Sequence, residues 1–408
     1  MAPLGYTSAL LENFKQHNQM IKIITSVTVL FTLLTCTVKN QTNTVTGNNN
    51  VPKVTETNQK TEKPLSDEDS LDLKIGQMIM IGINARTSIL PTDTLHKEIK
   101  NRKMGGIILF EKNINPNNSK ENLRKLIADI QASSTIPLMV SIDEEGGKVH
   151  RLKEKYGFVK MPSASYLGNL NNTDSTTYYT QKLASQLAEL GITLNFAPDV
   201  DLATNPNNPV IAKANRSYSA DPQIVTKHAT ASINAHHEFG VKTILKHFPG
   251  HGSSTTDSHL GITDVTNQWK FMELTPYNNI IKSNNCDAIM TAHIINCHLD
   301  TACLPATLSK TIVTDMLRNT LNYNGVVFSD DMQMFAISKN YGLENAIKLS
   351  INAGVDILLF GNQVNPQDKI SASEVHRIIK KLVKSGDINL NRIHESYKRI
   401  MKLKGYKY

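Results

Sequence analysis

From residue 76 onward the chain alternates short apolar runs with longer stretches of helical periodicity, and that alternation limits the fold more than any other feature. Eight runs stand out: GQMIMIGI (76–83), GGIILF (105–110), PLMVSID (137–143), TLNFAPDVD (193–201), VKTILKHF (241–248), CDAIMTAHI (286–294), GVVFSDD (325–331) and DILLFG (356–361). Each is apolar almost throughout instead of at every second position, which is how strands covered on both faces read. Between them lie amphipathic patterns such as SKENLRKLIADIQASS, YYTQKLASQLAELG and GLENAIKLSINAG, the last two closed by a glycine suited to a helix C-terminus. No two-residue hairpin turn separates successive runs, so the strands are expected to be parallel, with helical crossovers. Eight such units in about 330 residues predict one α/β domain of the (β/α)8 TIM-barrel type. The competing architecture, a doubly wound open sheet, wants a G-x-G-x-x-G turn after an early strand, and the chain has none.

In a barrel the C-terminal strand ends converge on one face, where active sites form. Asp143, Asp199, Asp201, Lys246, His247, His293 and Asp330 all fall at or just past such ends, so residues remote in sequence are expected to meet in one polar cleft. One segment concentrates this chemistry: KHFPGHGSSTTDSH, Lys246 to His259. Pro249 and Gly250 exclude a helix that would align His247 and His251 as zinc ligands, so the segment is a loop, and its spacing fits no usual zinc site. No metal and no organic cofactor is implied.

The remainder of the chain reads differently. Residues 20–36, MIKIITSVTVLFTLLTC, have the charge-then-apolar order of an export signal and are too short for a spanning helix of about 20 residues. Met20 is a natural start for such a signal. The ending Leu33-Leu34-Thr35-Cys36 resembles a bacterial lipobox, with Thr35 where a smaller residue is usual, so Cys36 is a candidate lipidation site. Residues 37–66 are polar and poor in large apolar side chains, the composition of a tether. The expected organisation is therefore a signal or lipoprotein segment (1–36), a linker (37–66) and one catalytic domain (67–408).

The formal net charge is +8, yet nine Lys/Arg against Asp387 and Glu395 fall within residues 380–408, so the basicity is a terminal feature. It reads as a solvated last helix, and nucleic acid is not the expected partner. Of four cysteines, Cys297 and Cys303 are near enough to bridge, although spacing alone does not pair them.

With these residues in view, the stretch from Leu71 to Tyr408 resembles the bacterial β-N-acetylglucosaminidases (β-hexosaminidases) of glycoside hydrolase family 3, the single-domain type acting on peptidoglycan fragments. The KHFPGH loop followed by Asp257-Ser258-His259 carries most of the likeness, supported by IDEEGG with Arg151, NFAP, NPNNPVI with Arg216-Ser217-Tyr218, and VVFSDDM. The resemblance implies Asp330 as nucleophile, His259 as acid/base and Asp257 as the carboxylate that orients it. It implies Asp143, Arg151, Arg216, Lys246 and His247 as sugar ligands. A titrating imidazole can protonate a leaving oxygen and later accept a proton from water.

Structural alternatives stand beside these roles. Lys246 could pair with Asp199 or Asp201, and Arg151 and Arg216 could form ion pairs at the barrel rim. Asp330 could cap the next helix, and His293 could line the pocket or be a satisfied strand-end residue. Asp331 is expected to turn away from Asp330 and bond a neighbouring loop, since successive strand residues face opposite sides. His251 is expected to steady the loop, and Glu145 is assigned no catalytic role. Gly250 and Gly252 are expected to let the loop swing, with Ser253–Thr256 as a solvated reach.

The implied function is a retaining exo-glycosidase that removes terminal β-linked N-acetylglucosamine from muropeptide or chitin-type fragments. Phosphorolysis of the same substrates, or a non-catalytic sugar-binding lipoprotein, are the alternatives. The expected partner is a carbohydrate, with membrane attachment through Cys36, and nothing demands more than a monomer. The expected location is exported, periplasmic or membrane-anchored, with the cytoplasm as the alternative.

Overall fold

The computed structural model describes residues 67–258, 260–363 and 369–407; Cys36, the linker and His259 lie outside the described residues. Eight strands carry the architecture: β1 (Ile79–Gly82), β2 (Gly106–Leu109), β3 (Met139–Ile142), β4 (Leu194–Asn195), β5 (Lys242–Phe248), β6 (Ala288–Thr291), β7 (Val326–Asp331) and β8 (Ile357–Phe360). They pair in chain order, all parallel, and β8 closes on β1. This is the (β/α)8 barrel anticipated from the eight runs, each trimmed at one or both ends and the fourth most of all, to two residues of strand.

Local sequence explains the crossovers. Helix Thr173–Leu190 begins at Asn172, whose side chain accepts the N–H groups of Asp174 and Ser175. It stops at Gly191 with φ 84°, the left-handed conformation that glycine adopts without a Cβ clash. Helix Pro222–His237 starts with proline in its first turn after an Asp221 cap, a position where the missing N–H costs nothing.

The register slips at two places. Between β5 and β6, Leu245 pairs with Ile289 but Phe248 pairs with Thr291, so β5 carries one extra residue around Lys246-His247. Between β7 and β8, Phe328 pairs with Ile357 but Asp331 pairs with Leu359, so β7 carries one extra residue just before its end. Such bulges break the strict alternation of strand side chains and re-aim them.

The basic C-terminal helix, Leu390–Leu403, departs from the expected solvated face. Arg392 and Arg399 turn inward to Asp356, fully buried at the foot of β8, which also receives Arg318, the Ser396 hydroxyl and the N–H of Val327. Burial alone would raise the Asp356 pKa, but the three guanidinium groups hold it down at about 2. Lys404 donates to Gln77 Oε1 and to the carbonyls of Gly105 and Pro137, closing the barrel floor near β2 and β3. Asp67–Tyr408 forms one compact unit, and no helix among the described residues is long and apolar enough to cross a membrane.

Candidate active site

A cavity of about 510 Å³ opens at the C-terminal face of the barrel. Asp143, Arg151, Arg216, Lys246, His247 and Asp330 all line it, drawn from the ends of β3, β5 and β7 and from the loops that follow β3 and β4. The two bulges decide which neighbours share the wall. Lys246 and His247 both face the cavity, and so do Asp330 and Asp331, although regular alternation would have sent one of each pair away. The expectation that Asp331 turns aside is corrected on this point, yet its carboxylate does hold the neighbouring loop, accepting the N–H groups of Gln333 and Gly361.

The cationic wall is built as a network. Lys246 Nζ lies 2.8 Å from Asp143 Oδ1 and 2.6 Å from Glu145 Oε1, so its partners are these two carboxylates and not Asp199 or Asp201. Arg216 makes a bidentate pair with Glu145, 2.8 Å on each arm, and its Nε lies 3.4 Å from Asp199 Oδ2. Arg151 reaches Asp143 at 3.5 Å and lies over the Phe110 ring, 5.9 Å from the centroid. Glu144, fully buried behind this wall, accepts the N–H groups of Arg151 and Leu152 and pairs with His150. Glu145 is thus the residue the sequence reading missed: it braces both Lys246 and Arg216. The signal was present in its place two residues after Asp143, at the end of β3.

The charges here are unequally matched. Burial would raise the pKa of Asp143, but Lys246 and Arg151 outweigh it and hold the group ionised. Glu145 is likewise buried and likewise held low by Arg216 and Lys246. Asp199 goes the other way: burial and the adjacent Asp201 carboxylate raise it well above the usual range. Asp201 stays low despite burial because His247 faces it.

Hydrogen bonding fixes the His247 ring. Arg216 can only donate to Nε2, at 3.3 Å, so the proton sits on Nδ1 and is given to Asp201 Oδ2 at 2.7 Å. Asp199, Asp201 and His247 bring ligand atoms within 4.8 Å of one another, the spacing of a metal site. The donor set does not suit a cation, because the Arg216 guanidinium already faces both Asp199 and His247.

The loop after β5 is built differently from the expected swinging arm. Its first half is packed: Ser253 and Ser254 are buried, and a Cβ on Gly252 would lie 1.7 Å from the Leu202 carbonyl, so that glycine permits close approach instead of motion. Asn208 Nδ2 holds the carbonyls of His251 and Gly252 together with Ser254 Oγ. His251 donates its N–H to Asp201, and its ring bridges Ser254 Oγ and Ser258 Oγ. Burial pushes His251 down to about 4, so the ring is neutral near pH 7. Only Thr255 and Thr256 are exposed ahead of Asp257, which is half-buried and is not among the described residues lining the cavity. His293 also stays out of the wall. Its Nε2–H donates to the Asp331 carbonyl and its Nδ1 meets Thr307 Oγ1, both at 2.9 Å, the satisfied strand-end histidine of the two alternatives.

Fold and site together define a (β/α)8 barrel with a polar cleft of paired carboxylates and cations at its C-terminal face. The chain belongs to glycosyl hydrolase family 3: residues 70–403 match the Glycosyl hydrolase family 3 N terminal domain. It is 35% identical over 349 residues to a β-hexosaminidase A of Pseudoalteromonas piscicida, covering 78% of this chain and 56% of that protein. A β-hexosaminidase of Tolumonas auensis is 36% identical over 276 residues, 66% of this chain and 79% of that one. Among solved structures, the family 3 β-N-acetylglucosaminidase of Paenibacillus sp. FPU-7 superposes with a TM-score of 0.74 at 34% identity, over 82% of this chain and 62% of that one. The chain thus spans little more than half the length of some relatives.

Proposed function

We propose that the protein is a β-N-acetylhexosaminidase that removes terminal β-linked N-acetylglucosamine by a retaining mechanism. The observation that carries this is Asp330 on the wall of a cavity that Asp143, Lys246 and Arg216 also line, the two cations braced by Glu145, in a family 3 chain similar to proteins named for that activity. The charged wall suits sugar hydroxyls, since charge-assisted hydrogen bonds are strong and directional. Asp330 attacks the anomeric carbon, and the leaving oxygen takes a proton from His259, which Asp257 orients. In the second step His259 takes a proton from water, the water oxygen bonds to the anomeric carbon, and Asp330 leaves as carboxylate.

Peptidoglycan fragments are the favoured substrates. Lys112 lies on the cavity wall, and its pKa is pressed down by partial burial and by Lys369 nearby, a pairing that an aglycone bearing carboxylates relieves. Export is the favoured location, because the Cys297–Cys303 disulfide belongs to an oxidising compartment. Lipid labelling of wild type against Cys36→Ser tests the anchor, and an unlabelled wild type removes it.

Release of 4-nitrophenol from its β-N-acetylglucosaminide and its β-glucoside by the full chain tests the reaction. Turnover of the first alone supports the reading, and turnover of neither overturns it. Product analysis with and without phosphate separates hydrolysis from phosphorolysis.

A further inference from the structure

We infer that the Cys297–Cys303 disulfide is a positioning device for the proton-transfer step, acting through the anchor of the loop that carries Asp257. The inference rests on the glycosidase reading of the cleft. Beyond Asp257, that loop ends in a two-residue strand, Thr263–Asp264, paired in parallel with Ile294–Ile295. Val265 N–H donates to the Ile295 carbonyl and Cys297 N–H to Thr266 Oγ1, both at 2.9 Å. Thr256 Oγ1 donates to Thr263 Oγ1 at 3.1 Å, one residue from Asp257. Trp269 packs on the buried Val265, Ala292 and Ile294, and its Nε1–H donates to the Pro249 carbonyl at the start of the loop. Both ends of the loop are therefore tied to the segment around 292–297.

That segment also reaches the nucleophile strand. His293, held by Thr307 Oγ1, donates to the Asp331 carbonyl, next to Asp330. The same short piece of chain thus stands between the two elements that must act on one scissile bond.

Two paired residues hold little by themselves, because isolated two-stranded pairings are marginal in water. The residues C-terminal to Ile294–Ile295 steady it: the chain turns on the buried Asn296, returns through an antiparallel bridge from Ile295 to Pro305, and is cross-linked at Cys297 and Cys303. The bond spans only six residues. Cross-links over short loops constrain the unfolded chain least, so the effect of this one is local order. Local order is what a proton donor requires, since small misplacements of catalytic groups lower rates steeply.

The test compares oxidised full-length wild type, the same protein after dithiothreitol, and a Cys297→Ser/Cys303→Ser variant. Reduction converts dithiothreitol to its cyclic disulfide and adds two protein thiols to those of the oxidised chain, which already has Cys286 free, and the increase is counted. The substrates are the 4-nitrophenyl and phenyl β-N-acetylglucosaminides, the second with the poorer leaving group. Acid catalysis is worth about 10²–10⁴-fold, so kcat on the phenyl glycoside falls about tenfold or more while the 4-nitrophenyl rate changes by about twofold or less, with KM steady. The variant matches reduced wild type and ignores dithiothreitol. Equal losses on both substrates, or full phenyl activity once two thiols more than in the oxidised protein are counted, overturn the inference. If the variant does not fold, the reduced wild type decides alone. Oxidised wild type inactive on both glycosides overturns the glycosidase reading first and this inference with it.

Discussion

The barrel carries a buried ion cluster at each end, and the two differ in how their carboxylates are matched. At the N-terminal face a single carboxylate, Asp356, is saturated by three arginines, a hydroxyl and a backbone N–H. At the C-terminal face Asp143, Glu145, Asp199 and Asp201 share Lys246, Arg151, Arg216 and His247, and Asp199 Oδ2 has no hydrogen bond although it is buried. The lower cluster closes the fold around itself, whereas the upper one borders open space. Stability and function have been assigned to opposite ends of the same strands, as the geometry of parallel barrels allows.

Substitutions at the two ends should separate accordingly. Asp330→Asn is expected to lower kcat by about 10⁴-fold or more, the scale of losing a nucleophile, with the denaturant midpoint held or raised. Residual turnover above one-hundredth of wild type, after mass spectrometry has excluded deamidation, would remove Asp330 from that role. At the other end, Asp356→Ala leaves three guanidinium groups without their shared partner. The expected loss is about 3–5 kcal/mol of stability in urea unfolding, with kcat of the remaining folded enzyme unchanged. A drop in kcat at unchanged stability would erase the division of labour.

Glu145→Gln falls between these extremes. It keeps the shape but weakens the grip on Lys246 and Arg216, so kcat/KM is expected to fall about 10²-fold, mostly through KM. Restoration by Glu145→Asp would argue against it, because the shorter side chain cannot span both cations.

The sequence made the barrel legible because strands buried on both faces are written as unbroken apolar runs, and there were eight. It also placed the cleft, since strand ends are visible as the first polar residues after each run. What it could not show were the bulges at Lys246-His247 and before Asp331, because one unpaired residue leaves no mark in an apolar run. Glu145 was hidden for a related reason: three acids in a row look alike until the fold says which one meets Arg216. The basic tail misled in the opposite direction, because composition cannot tell a solvated arginine from one aimed at Asp356.

A final comparison lies within the upper face, between carboxylates held ionised and a second one, besides Asp199, that burial pushes up. Glu273, beneath the loop after β5, is almost fully buried, and its Oε2 has no hydrogen bond. Burial pushes its pKa up to about 7, outweighing Ser253 beside it and the N–H of Lys270, with Asp201 adding to the rise. A carboxyl whose folded pKa lies above its unfolded value supports the fold fully below the unfolded value near 4.5. That support is lost as pH rises toward 7. Glu273→Gln keeps the neutral form at every pH, so the variant and wild type should have equal stability at pH 4.5 and separate as pH rises. At pH 8 the variant is expected to lead by on the order of 3 kcal/mol in urea unfolding, because the ionised carboxylate must be buried only in the wild type. Parallel curves from pH 4.5 to 8 would mean that the carboxylate finds a partner when it ionises, and that the loop above it moves to provide one.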